Sequence, residues 1–212
     1  MAALDLQEQE QVDALKHWWK DNSKRLVIAL LLASLGFAGV KGWNVYQAKQ
    51  TAEAAKLYGE LVKQLGTGDA KRVNDAAAAV AEKFGSTPFA SRAQLLAAQI
   101  NLVDAHDAAR AKTQLQWVIE HAKEEGLQNV ARLKLGAALL DEKNYAEALK
   151  LAEAKHAESF DGLYADLKGD ILNAQGKAAE AKAAYKIAYD KTDAKSMYRN
   201  LIQMKLDALG GA

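Results

Sequence analysis

The sequence has no cysteine, and this absence excludes disulfide bonds, thiolate nucleophiles and cysteine-ligated zinc. Proline occurs once, and aromatic residues make up only 7% of the chain. The chain is instead rich in alanine, leucine, glutamate and lysine, which lose little conformational freedom in a helix. Because strand-like alternation of valine, isoleucine and threonine is also missing, the composition predicts an all-α protein.

An excess of charge of either sign is missing as well. The 28 basic and 27 acidic residues leave a formal net charge of +1, and no basic face is evident along the chain. A nucleic-acid-binding domain normally carries a basic patch or stripe. We therefore expect no nucleic-acid partner.

One long apolar run, KRLVIALLLASLGFAGVKGWNVY, occupies residues 24–46. Residues 26–40 give 15 uncharged positions, whereas a membrane-spanning helix needs about 20. Lys41 does not have to end the span, because a lysine near a helix end can extend its ammonium to the membrane interface. Counting on to Tyr46 gives 21 residues, so the sequence predicts a transmembrane helix over residues 25–46.

The surroundings of this run favour a membrane span over two alternatives. Aromatic residues that suit membrane interfaces flank it on both sides: Trp18, Trp19, Trp43 and Tyr46. A cleavable signal peptide is the first alternative, because the small residues of GFAG could be accepted by a peptidase at Ala38. A buried core helix is the second, although such a helix normally shows a polar face, and only Ser34 interrupts residues 26–40.

Basic residues near the run predict its orientation. Four of them precede the span and two follow it: Lys16, Lys20, Lys24 and Arg25, against Lys49 and Lys56. The more basic side is expected to stay in the cytoplasm. The predicted organisation is a cytoplasmic tail over residues 1–24 with a short amphipathic helix, a membrane helix over 25–46, and a large domain over 47–212. In a bacterium that domain would lie in the periplasm, and the whole would be a single-pass inner-membrane protein.

The large domain contains internal repeats. LGAALLDEKNYAEALKLAEA (residues 135–154) and KGDILNAQGKAAEAKAAYKIAY (168–189) superpose at a shift of 33. Gly136 then aligns with Gly169, and Ala148 with Ala181. A small residue on a first helix and an alanine 12 positions later would let two helices approach closely, as in the tetratricopeptide repeat.

Further elements extend this array. A weaker copy, residues 95–118, has Ala111 in the matching place, but Gln99 holds its small-residue position. Residues 47–65 and 69–84 predict an earlier helix pair, and residues 194–209 predict a terminal helix that caps the array. The expected fold is a transmembrane helix followed by a TPR-like solenoid, with a generic helical bundle as the alternative.

The same register predicts a binding groove. The first helices of the copies would line it with apolar residues and end it with polar and acidic ones: Leu96, Ile100, Val103, Leu133, Ala137, Leu140, Asp166, Asp170 and Asn173. Such a groove could take an extended or helical segment of another protein. Alternatively, the terminal helix could fold back and fill the groove through Met197, Leu201 and Met204.

Catalytic motifs are missing from the sequence. His106, His121 and His156 are scattered, and no paired metal-binding histidines, nucleophile elbow or Walker loop is present. An enzyme site built from dispersed residues would need perturbed titratable groups in a cleft, and nothing in the sequence singles out such a set. We interpret the chain as a binding protein without catalytic residues, cofactor, metal or small-molecule substrate.

The order of these parts resembles the YfgM family, the ancillary subunit of the Sec translocon. The resemblance rests on the tail QVDALKHWWKDNSK, one apolar span followed by GW and a tyrosine, the degenerate repeats with ADLKGDILNAQGKAAEAKAAY, and the final MKLDAL helix. It covers almost the whole chain. It implies an inner-membrane protein whose periplasmic TPR-like domain works beside the translocation channel.

The resemblance also implies partners. Members of the family associate with SecYEG and with the membrane-anchored periplasmic chaperone PpiD, so we expect this chain to assist Sec-dependent translocation by linking the two. The lipid bilayer would be contacted by residues 25–46. The alternative function is a general periplasmic holdase that binds unfolded exported chains in the repeat groove.

Overall fold

The structure, a computed structural model, describes residues 6–66 and 68–210. All regular structure in these residues is helical, which confirms the predicted all-α class. The helices are α1 (Leu6–Leu65), α2 (Ala70–Phe84), α3 (Pro88–Val103), α4 (Ala108–His121), α5 (Glu125–Asp141), α6 (Tyr145–Ala152), α7 (Asp161–Ala174), α8 (Ala178–Lys191) and α9 (Met197–Ala208), with a 3-10 turn at Glu158–Phe160.

The chain divides into two units, Met1–Lys49 and Gln50–Ala212. In its described part the first unit is the N-terminal portion of α1, which contains the tail, the apolar run and the flanking aromatic residues. Leu30 and Leu35 are 67% and 69% exposed, and no part of the most apolar window is buried. This contradicts the buried-core alternative. The helix is long and apolar enough to cross a membrane. Its orientation in the membrane stays a prediction, and so does the alternative of a signal peptide cleaved at Ala38.

The second unit is built from consecutive helix pairs. The end of α1 and α2 match the predicted pair over 47–65 and 69–84, and Asp69 caps α2 by accepting a hydrogen bond from the backbone N–H of Arg72. Gly68 has φ of 69° in the connecting turn, a conformation that glycine adopts without strain. The pairs α3–α4, α5–α6 and α7–α8 then correspond to the three repeat copies.

Small residues at the aligned positions allow close packing within these pairs and between successive pairs. The three aligned alanines, Ala111, Ala148 and Ala181, are completely buried. A Cβ atom at Gly169 would lie 2.5 Å from the ring of Tyr185 on α8, and one at Gly136 would lie 2.7 Å from Leu167 Cδ2 on α7. These glycines therefore make room for a side chain of a neighbouring helix.

Buried apolar clusters join each helix to its neighbours. One cluster links the end of α1 with α2 and α3 through Leu61, Val73 and Val80. The next links α3, α4 and α5, and further clusters link α5 to α7 and α7 to α9. Stability that comes from contacts between successive units is typical of repeat proteins.

Candidate functional site

The predicted groove residues lie on the first helices of the three pairs. The structure places them on α3 (Leu96, Ile100, Val103), α5 (Leu133, Ala137, Leu140) and α7 (Asp166, Asp170, Asn173). Their assignment to these helices agrees with the register expected from the repeats. Their solvent exposure differs from that expected of residues that line an accessible groove.

Most of the apolar groove residues are half-buried and pack against the buried apolar clusters. Leu96 and Ile100 pack against the cluster that contains Leu61, while Leu133 and Leu140 pack against the cluster that joins α5 to α7. Of the apolar members, Val103 is 55% exposed and Ala137 is also exposed. These two residues lie on different helices, so a role in partner binding stays a prediction.

The acidic end of the predicted groove is occupied by the chain itself. Asp166 is only 3% exposed, which makes its placement on an accessible surface wrong. The Lys205 ammonium on α9 donates to both carboxylate oxygens of Asp166, at 2.9 and 2.8 Å, and to Asp170 at 2.8 Å. Tyr198 donates its hydroxyl to Asp166 at 2.5 Å, and Tyr185 donates to Asp170 at 2.7 Å. The two carboxylates thus fasten the terminal helix to α7.

Both tyrosines remain protonated donors in this network. Burial, reinforced by the hydrogen bond to Asp170, raises the pKa of Tyr185 well above its usual value of 10.0. Burial and the hydrogen bond to Asp166 raise the pKa of Tyr198 in the same direction. A phenolate beside a carboxylate would be a like-charge pair, so the neutral form is strongly favoured.

The terminal helix, α9, packs against the array with a face that does not include Met197, Leu201 and Met204. Ile202 and Leu206 are buried against α7 and α8, whereas Met197, Leu201 and Met204 are 87%, 45% and 67% exposed. The alternative in which these three residues fill the groove is therefore wrong. The helix is nevertheless the expected cap, because it covers apolar residues at the end of the array.

An open cleft of ≈ 570 Å³ lies between the second helices α4 and α6. Its apolar lining consists of Trp117, Leu135, Leu139 and Leu151, and Lys112, Glu120 and Glu147 are among its polar residues. Leu135 and Leu139 come from α5, and Glu147 and Leu151 come from α6. Leu139 and Leu151 also pack against the buried cluster that contains Leu135.

A neighbouring cleft of ≈ 290 Å³ lies between α2 and α4. Thr113 and Trp117 on α4 line both clefts. Trp117 stacks on His121, with ring centroids 4.5 Å apart and planes at 6°. The face formed by the second helices therefore carries two adjoining depressions with one tryptophan between them.

A buried amide network lies beside the smaller cleft. Asn101 donates to Asn74 at 2.8 Å and to Gln114 at 2.7 Å, and Gln114 donates to Asn74 at 2.8 Å. The three side chains come from α3, α2 and α4, and each is at most 9% exposed. Mutual hydrogen bonds satisfy these buried amides, which would otherwise destabilise the fold, and they fix the spacing of the three helices.

Comparison with known proteins places the chain in a family. The family model of a tetratricopeptide repeat-like domain matches residues 16–211. A Neisseria gonorrhoeae protein named ancillary SecYEG translocon subunit is 33% identical over 98% of this chain and 99% of its own length. The chain belongs to the family of ancillary SecYEG translocon subunits.

Other members of the family cover the chain equally well. The Haemophilus influenzae protein of that name is 27% identical over 98% of this chain, and the Escherichia coli one is 27% identical over 95%. Each matches 96% or more of the relative's length. The resemblance to this family predicted from the sequence is thereby confirmed, together with its TPR-like fold.

The histidines of this family member are dispersed. His106 lies in the turn before α4 with φ of 52°, His121 stacks on Trp117, and His156 stacks on Tyr164 at a centroid distance of 3.9 Å. Within the described residues no three His, Asp or Glu side chains are grouped so that they could hold a metal ion. His121 and Trp117 belong to the same helix, α4, whereas His156 lies before the 3-10 turn and contacts Tyr164 on α7.

Sequence reasoning missed the clefts and the residues that line them. Trp117 carries the one signal that could have indicated them, because it is the only tryptophan in residues 47–212. Thr113 and Glu120 carry no comparable signal, since they are ordinary polar residues on a helix surface.

Proposed function

We propose that this protein is a membrane-anchored subunit that associates with the SecYEG translocon and links it to a periplasmic chaperone of the PpiD type. The observation that carries the proposal is the match over nearly the full length, apolar helix included, to proteins named for their association with SecYEG. The PpiD-type partner rests on the resemblance described above. No catalytic step is part of the proposal.

The anchor supports this function. Residues 25–46 belong to α1, whose apolar side chains are exposed from Val27 to Tyr46, as a helix surrounded by lipid requires. The greater number of basic residues before the span favours a cytoplasmic tail over residues 1–24 and a periplasmic domain over 47–212. A helix that anchors the repeat domain in the same membrane as the translocon keeps the two at high local concentration.

The repeat domain supports a binding role. A TPR-like array exposes extended surfaces built from successive helices, and here its second-helix face contains two open clefts. The domain is therefore suited to holding another polypeptide.

Purification in a mild detergent from cells that express the tagged full chain at native level tests the proposal. SecYEG components and the PpiD-type chaperone are expected in the eluate. The matched control replaces residues 25–46 by the single span of an unrelated protein with the same orientation. A preparation of the native chain free of SecYEG, with the tagged protein intact in the membrane, contradicts the proposal.

A second function, a general holdase for unfolded exported chains, is favoured by the apolar floor of the larger cleft. Aggregation of a chemically denatured client, in the presence of the full chain in lipid nanodiscs, separates it from the first. Slower aggregation at stoichiometric amounts supports the holdase. Aggregation at the rate seen with empty nanodiscs contradicts it.

A further inference from the structure

The larger cleft has the dimensions of a peptide site. Its lining on α4 runs from Lys112 to Glu120, which is about 12 Å along a helix that rises 1.5 Å per residue. An extended chain covers this distance with about four residues. The volume of ≈ 570 Å³ is in the range of about 300–1,000 Å³ that is usual for ligand sites.

The floor and one wall of the cleft are apolar and would accept apolar side chains of a bound partner. Leu135, Leu139 and Leu151 line its depth, and Trp117 forms the wall shared with the smaller cleft. Tryptophan is enriched among the residues that contribute most of the binding energy at protein interfaces. Because the two clefts adjoin, a chain crossing α4 could place apolar side chains in both.

The charges of the cleft indicate a basic residue beside those apolar side chains. Lys112 is paired with Glu142 at 2.5 Å, and Glu147 with Lys150 at 2.7 Å. Glu120 accepts a hydrogen bond from Gln116 at 2.7 Å but forms no ion pair in the part of the chain that the structure describes. A lysine or arginine of the occupant would complement its charge.

The polar edge of the cleft favours an extended occupant over a helical one. Gln116 is exposed and donates its amide N–H to Glu120, and its side-chain carbonyl oxygen has no hydrogen-bond partner among the described residues. An extended segment brings backbone N–H groups that can bond such an acceptor. A helical segment has already used its own N–H groups internally.

We propose that the cleft between α4 and α6 binds an extended segment of a partner polypeptide that carries apolar side chains next to a lysine or arginine. This assigns polypeptide binding to the second-helix face, and not to the first-helix residues Leu96, Ile100 and Ala137. The proposal does not depend on association with SecYEG, since the cleft is formed by the repeat domain alone.

Trp117 provides a direct readout of binding. The chain has 4 tryptophans, so replacing Trp18, Trp19 and Trp43 by phenylalanine leaves Trp117 as the only tryptophan of the chain that fluoresces. The full chain with these replacements is placed in phosphatidylcholine nanodiscs. Three capped peptides are titrated: Lys-Leu-Phe-Leu-Lys, Glu-Leu-Phe-Leu-Glu and Lys-Ser-Gly-Ser-Lys.

The basic apolar peptide is expected to shift Trp117 emission to the blue with a saturable curve. The acidic apolar peptide should bind at least about tenfold more weakly, because it meets Glu120 with like charge. The basic polar peptide should give no shift, because it has no side chain for the apolar floor. Empty nanodiscs with free tryptophan correct for binding to lipid.

Two variants test the location, and one controls for it. Thr113→Lys introduces bulk and positive charge at the ridge between the clefts. Because Thr113 is exposed, the fold should be retained. Binding of the basic peptide should fall at least about tenfold. Glu120→Gln should remove the preference for the basic over the acidic peptide. Ala137→Lys, on the exposed first-helix surface, should leave binding unchanged.

Each opposite outcome overturns the proposal. Loss of binding in Ala137→Lys with retention in Thr113→Lys places the segment on the first-helix face. An emission shift that depends on protein concentration without peptide indicates that a second copy fills the cleft. If none of the peptides gives a saturable shift, the cleft is not a polypeptide site, whatever the SecYEG purification shows.

Discussion

The ammonium of Lys205 lies 2.8 Å from Oδ2 of Asp166, a residue that is 3% exposed. Thirty-nine positions separate the two in sequence, and the contact joins the last helix, α9, to α7. Lys205 also lies 5.3 Å from the ring centroid of Tyr185. Lys205 thus adds contacts with two carboxylates and an aromatic ring to the apolar packing of Ile202 and Leu206 that holds the cap.

Lys205→Met should destabilise the repeat domain by about 2–3 kcal/mol, because it leaves the buried carboxylate of Asp166 without its cation. The free energy of unfolding is measured by urea denaturation of the full chain in a mild detergent, followed by circular dichroism. Limited proteolysis should also cut near α9 sooner than in the native chain.

Lys195→Met is the matched control for this substitution. Lys195 is exposed, and its ammonium forms no ion pair with the residues that the structure describes. Its replacement should change the free energy of unfolding by less than about 0.5 kcal/mol. Equal effects of the two substitutions would show that Lys205 contributes nothing specific.

Alkaline pH should weaken the same network. The pKa values of Tyr185 and Tyr198 are raised in the folded state, so the folded protein keeps protons that the unfolded chain loses above about pH 10. The stabilisation is thus complete below that pH and declines as the pH rises further, by up to about 1.4 kcal/mol per pH unit for each phenol.

Tyr198→Phe isolates this effect. The variant should be less stable than the native chain near neutral pH, by about 1 kcal/mol for the lost hydrogen bond, yet its stability should fall less steeply above pH 10. Near-ultraviolet phenolate absorbance should show one fewer tyrosine that resists ionisation. Identical alkaline slopes for the two proteins would contradict the assignment.

The repeat register could be predicted because it depends on local spacing. Gly136 and Gly169 are 33 positions apart, and the aligned alanines recur at intervals of 37 and 33. Close packing of helices requires small residues at those positions. The membrane helix could be predicted for a similar reason, since hydropathy depends on composition over a short window.

The contacts that cover the acidic residues Asp166 and Asp170 could not be predicted from local spacing. Periodicity places Asp166 and Asp170 on a helix face, but it does not reveal that Lys205 and Tyr198 on a later helix will cover that face. The cleft was missed for a related reason. It is lined by residues of α4, α5 and α6, and the pattern within one copy does not show how neighbouring copies come together.

Asn101→Ala should destabilise the array by about 2–3 kcal/mol. The substitution removes three hydrogen bonds and leaves the amides of Asn74 and Gln114 buried with fewer partners. Asn173→Ala, at an exposed position on α7, is the control and should stay within about 0.5 kcal/mol. Comparable urea midpoints for the two variants would show that the amide network adds no stability.

Gly169→Ala should test how closely α7 and α8 pack. The added Cβ would lie 2.5 Å from the ring of Tyr185, so overpacking should destabilise the domain by about 1–3 kcal/mol. This effect should exceed the stabilisation that comes from the higher helix propensity of alanine. Gly59→Ala is the matched control, because its Cβ would meet nothing within 4 Å and should stabilise α1 by up to about 1 kcal/mol. The two substitutions are the same chemical change with opposite expected signs in urea denaturation. If Gly169→Ala stabilised the protein as Gly59→Ala does, Tyr185 would have to move away from α7, and the hydrogen bond from Tyr185 to Asp170 would be lost with it.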